Sequence, residues 1–120
     1  MNNYRKNIGN EGESIAADYL KERGYQILAT NQSCPHGEID IIAQKGKKIH
    51  FVEIRRRLNQ EFGSAIESIT KTKMSRIRKT ATFLRNKHIS WRSLYPYFSV
   101  IAIDGENENL KIEFLPDAFI

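Results

Sequence analysis

Apolar residues first recur at helical spacing near the start of the chain. Ile15, Ala16, Tyr19 and Leu20 fall on one face of a helix over 10–23, and Gly24 stands where that helix would stop. Residues 25–30 read as a strand, followed by turn and loop residues from Asn31 to Pro35. Two further strands are predicted near 38–44 and 48–56, separated by Lys45-Gly46-Lys47, a hairpin signal. A second helix is expected from about 68 to 87, capped by Ser68 or Thr70, with Met74, Ile77, Ala81 and Leu84 as its apolar stripe. Strands near 97–103 and 110–115, joined through Asp104-Gly105-Glu106-Asn107, complete the order α-β-β-β-α-β-β. That order implies an α/β fold, a mixed central sheet flanked by helices.

The 120 residues suit a single domain over 1–120, with no linker or repeat. No apolar run is long enough to cross a bilayer, and the polar start Met1 to Lys6 is no secretory signal. Cys34 is the only cysteine, so no internal disulfide forms and a cytoplasmic location is expected. The 19 Lys and Arg outnumber the 14 Asp and Glu, a net charge of +5, which directs attention to polyanions. Distribution says more than the total. Residues 54–92 carry eleven basic side chains against Glu61 and Glu67, a net +9, whereas the chain beyond 103 is acidic. One basic face is the expected result.

Asp40 and Glu53 lie in otherwise apolar strands, where a carboxylate is costly unless paired, hydrogen-bonded or holding a cation. If Gln44 pairs with Lys47 the two acids are diagonal; if Gln44 pairs with Ile49 they are directly opposed. Either register puts them on one face, and Arg55 points the same way as Glu53. Two carboxylates beside a cation suit a magnesium- or manganese-dependent nuclease site. They suit an internal Asp–Arg–Glu salt-bridge network equally well. Both carboxylates are expected to compete for Arg55 when no metal is bound.

The spacing Gly37-x-x-Asp40, twelve residues, then Glu53-x-Arg55 resembles the Gly-x-x-Asp…Glu-x-Lys pattern of restriction-endonuclease-like nucleases. Over nearly its whole length the chain is similar to the YraN-like family of small bacterial proteins. Gly9, Gly12-Glu13, Asn31, Gly37 to Asp40, Phe51 to Glu53, Phe62-Gly63, Lys73, Arg76 and Ala118-Phe119 carry that resemblance. It implies a restriction-endonuclease-like fold, Asp40 and Glu53 as metal ligands, and Glu13 as a further catalytic acid. Arg55 and Arg56 depart from the family's usual Lys and Thr, and Ser99 from its usual Asp. Arginine can clamp a phosphate but cannot act as a base, so Arg55 and Ser99 are expected to weaken catalysis.

The leading expectation is a metal-dependent DNA endonuclease, with branched or structured DNA among its candidate substrates. Asp40, Glu53, Arg55 and Glu13 would be catalytic, and Arg56, Arg57, Lys71, Lys73, Arg76 and Lys79 would contact the backbone. The alternatives are DNA binding without cleavage and a structural or protein-interaction domain, as monomer or homodimer. Cys34 and His36 lack further ligands at zinc spacing, and Gly9 and Gly12 make no nucleotide loop. His50 reads as an ordinary strand residue. Trp91, Tyr95 and Tyr97 read as packing residues, with base stacking as their alternative.

Overall fold

Lys45 pairs with Lys48 across the two-residue loop Gly46-Lys47, and Gly46 has φ +60°. Glycine at the first central position is what a type II′ hairpin turn requires. This tight turn sets the register of the central hairpin: Gln44 pairs with Ile49 and Ile41 with Val52. The computed structural model describes residues 3–57 and 68–118, with side chains from residue 11 onward. Glu61, Phe62, Gly63, Glu67 and Phe119 lie outside the described residues.

Five strands form one mixed sheet in sequential order: β1 (Gln26–Cys34), β2 (Gly37–Lys45), β3 (Lys48–Arg57), β4 (Tyr95–Asp104) and β5 (Lys111–Leu115). All neighbours are antiparallel except β3 and β4, which run parallel. A parallel pair needs a crossover, and α2 (Lys71–Lys87) lies within it. α1 (Asn3–Glu22) precedes the sheet. Ala16 and Leu20 of α1 cluster with Ile41, Val52 and Ile101. Ile77, Ala81 and Leu84 of α2 cluster with Ile42, Phe51 and Val100 on the other face. β3 and β4 are therefore covered on both sides, which explains their near-continuous apolar runs. This is the restriction-endonuclease-like α/β arrangement with the expected order.

Two expected boundaries move. α1 begins at Asn3, so Gly9 lies within it instead of preceding it. β1 continues to Cys34, through residues expected to form a loop. Asn31 takes a left-handed φ of 50° inside the strand, a conformation asparagine tolerates better than most residues. The chain turns only at Pro35-His36, between the paired Cys34 and Gly37.

Candidate functional site

The β2–β3 ladder ends at the pair Ile41 and Val52. One step beyond, Asp40 comes opposite Glu53, the directly opposed register. No further backbone pair forms there; Ile54 N–H instead donates to Asp40 Oδ2 at 2.8 Å. Alternation breaks at this point, because Ile39 joins Ile42 in the α2-side cluster while Ile41 packs on the α1 side. Gly37, where β2 starts beneath α2, has φ +155°, a conformation side chains rarely adopt; a Cβ there would make only ordinary contact with Thr80 Oγ1 at 3.4 Å and Arg76 Cβ at 3.5 Å.

Glu53 is 5% exposed and sits on the α2 side. Its nearest cation is Lys73, with Nζ 3.0 Å from Oε1; Arg55 Nε stands at 3.8 Å. Lys73 is aimed there by the start of α2. Thr70 is the N-cap, and its Oγ1 accepts from Lys73 N–H at 3.1 Å. Burial, reinforced by the neighbouring Glu53 charge, pushes the Asp40 carboxyl up to about 6, against the opposing pull of Ile54 N–H and Lys73. Lys73 offsets part of the charge around Asp40, and the expected competition of both acids for Arg55 reduces to a contact with Glu53 alone among the described residues. Arg55 Nε has no hydrogen-bond partner among the described residues.

These two acids could hold a divalent ion. The shortest contact of Glu53 takes Oε1 and the bond to Asp40 takes Oδ2, which leaves a second oxygen on each. No group of three or more His, Cys, Asp or Glu converges among the described residues. Two carboxylates without a third ligand suit magnesium, which commonly binds through one or two carboxylates plus water and phosphate oxygens.

The other candidates are dispersed. Glu13, half-buried on α1, accepts a short hydrogen bond from Asn31 Nδ2. Asn31 lies between Thr30 and Gln32, the partners of Ile41 and Ile39, so Glu13 reaches β1 directly across from Asp40. Arg56 is directed toward Glu11 on α1, 3.6 Å away. Arg57 forms a two-pronged pair with Asp104, at 2.8 and 3.2 Å. Lys71, Arg76 and Lys79 remain exposed on α2. Ser99 is buried on the side opposite Glu53, 2.9 Å from His50 Nδ1, and also accepts from Asp117 N–H. Its departure from the family pattern therefore lies outside the carboxylate pair.

Sequence reasoning placed Lys73 on the phosphate backbone and missed its contact with Glu53. A signal was present. The first turn of α2 holds Lys71 and Lys73 and no acid, against the helix dipole's preference for negative charge at that end. Such a start is favourable when an anion lies nearby. Asn31, the partner of Glu13, left only its tolerance for left-handed backbone as a sign.

The family model for the uncharacterised protein family UPF0102 matches residues 12–103, a span that holds Glu13, Asp40, Glu53 and Lys73. A UPF0102 protein of Caldicellulosiruptor bescii is 41% identical over 116 residues, covering 95% of this chain and 98% of the relative. A UPF0102 protein of Clostridium perfringens is 40% identical over 124 residues, covering 99% and 98%. One from Dictyoglomus turgidum is 38% identical over 120 residues, covering 99% and 100%.

Proposed function

The chain belongs to the UPF0102, or YraN-like, family, and we propose that it is a metal-dependent endonuclease that hydrolyses DNA phosphodiester bonds. One observation carries this reading. Two opposed carboxylates come together on adjacent strands at the end of the β2–β3 ladder, where burial, and after it the Glu53 charge, pushes the Asp40 carboxyl up to about 6. A purely structural salt-bridge network would give both acids a cation, whereas among the described residues the ion pairs reach Glu53 and none reaches Asp40.

Asp40 and Glu53 would hold magnesium or manganese, which when bound polarises the scissile phosphate and activates water. Lys73 balances the Glu53 charge and can stabilise negative charge that develops on phosphate oxygens. Arg55, beside Glu53 but without a hydrogen bond from its Nε, is available to clamp a phosphate. Glu13 orients β1 opposite Asp40 through Asn31. The exposed Lys71, Arg76 and Lys79 hold the duplex by its backbone without reading sequence. Arg57 is already engaged by Asp104, and its role is to fix β3 against β4.

A second reading, DNA binding without cutting, draws support from Lys73, which already partners Glu53. The test is nicking of supercoiled plasmid and of branched DNA with magnesium or manganese, with Asp40→Asn as the control for contamination. Cutting that depends on Asp40 is expected. DNA binding with no metal-dependent cutting of either substrate would select the second reading.

A further inference from the structure

At the hairpin end of the sheet, on the α1 side, lies a cleft of about 600 Å³. That volume is within the range of small-molecule sites. Lys45, Lys47 and Lys48 line it, and among the described residues none of them pairs with an acid. Lys45 Nζ is tied to Arg23 O at 2.8 Å, and Lys48 Nζ stands 5.2 Å from the centre of the Tyr97 ring. Lys45 and Lys48 thus meet neutral groups at the wall of the cleft.

Its other wall is aromatic and rigid. His50 stacks on Tyr97 with ring centres 5.1 Å apart, and His50 Nδ1 is fixed by Ser99 Oγ. Tyr95 N–H donates to Lys47 O at 2.7 Å, which locks the start of β4 to the hairpin turn. Tyr95 itself is 64% exposed, so the packing role expected for it fails; only Ile89 is a comparably exposed large apolar residue among those described. A free ring beside unpaired ammonium groups fits a ligand with both a planar face and a phosphate.

We propose that this cleft binds a nucleotide unit, with the base stacked on Tyr95 and the phosphate held by Lys47 and Lys48. The site is separate from the carboxylate pair. Lys48 and Glu53 are five residues apart on β3, roughly 16 Å, and point to opposite faces of the sheet. It needs no metal and does not rest on the nuclease reading.

The test is isothermal titration in metal-free buffer with adenosine 5′-monophosphate, adenosine and inorganic phosphate as probes. The monophosphate is expected to bind at least about tenfold more tightly than either fragment. Tyr95→Ala should weaken it by about tenfold or more, the loss of one base stack, and Tyr95→Phe should retain it. Lys47→Glu, on the exposed turn, should abolish binding without lowering the melting temperature. Asp40→Asn should bind as the wild type does, whatever its effect on DNA cutting. A 5′-phosphorylated single-stranded hexanucleotide separates the sources: tighter binding than the mononucleotide assigns the cleft to an unpaired strand end, and equal or weaker binding to the free nucleotide. Monophosphate binding no tighter than that of phosphate, or unchanged by Tyr95→Ala, would overturn the proposal.

Discussion

Lys73 Nζ lies 3.0 Å from Glu53 Oε1, closer than the arginine two residues along Glu53's own strand. The position that departs from the family's motif is therefore not the site's nearest cation. Lys73→Met should lower Asp40-dependent cutting by roughly 10²–10³-fold, the usual effect of removing one preorganised stabiliser of developing charge. Arg55→Lys keeps the charge and should alter the rate by less than about tenfold. Steady-state nicking assays on both variants decide this, and the reverse order would return the central role to Arg55.

Asp40 and His50 give stability opposite pH dependences. Burial, then Glu53, raises Asp40 from 3.8 to about 6, so the folded chain holds its proton more tightly and this group's contribution falls as pH rises through that window. Burial, then Lys48, lowers His50 from 6.5 to about 4, so stability is lost as pH falls through that interval. Asp40→Asn still accepts the Ile54 N–H but removes the repulsion. It should stabilise the metal-free protein by roughly 1–3 kcal/mol at pH 8 and by little at pH 4, measured by urea unfolding. An equal effect at both pH values would remove the repulsion account.

Magnesium should oppose the same repulsion. At millimolar ion the wild-type melting temperature should rise by a few degrees, and that of Asp40→Asn should not. Absence of a wild-type shift favours the salt-bridge reading.

Lys71, Arg76 and Lys79 are exposed on the basic helix. DNA affinity should fall steeply with salt, and each of these residues replaced by Ala should reduce the slope of log K against log salt by about one. Filter binding from about 50 to about 300 mM salt, over which three phosphate contacts correspond to roughly a hundredfold loss of affinity, measures it. Affinity insensitive to salt would exclude backbone recognition.

Thr70 links the helix to the site. Thr70→Ala should cost about 1 kcal/mol as a lost N-cap. It should also slow cutting more than a comparable cap loss remote from Glu53, because Lys73 leaves its position. Denaturation and rate measurements on one preparation separate the two effects.

Periodicity made much of this legible. The stripe from Ile77 to Leu84 does face the sheet, and parity placed Asp40 and Glu53 together because a tight hairpin leaves few registers. Lys73 was hidden for the opposite reason. In a helix whose charged positions are all cationic, only tertiary packing selects the one that meets Glu53. The place of Ser99 was not legible because it depends on the parallel β3–β4 register, which brings Val52 beside it and His50 within reach. No local pattern encodes that pairing. Tyr95 looked like core because aromatic residues at a strand start usually pack, and exposure depends on what the fold leaves uncovered.

Where β2 parts from β3, Asp40 supplies the acceptor that a backbone carbonyl would otherwise provide for Ile54. An asparagine could make that bond without charge, and a protonated aspartate could as well. Architecture therefore asks only for an oxygen at this position, while cation chemistry asks for an ionised one. Across related chains, substitution at this single position becomes a natural experiment: asparagine would be compatible with the strand fork alone, and only aspartate with both the fork and a cation.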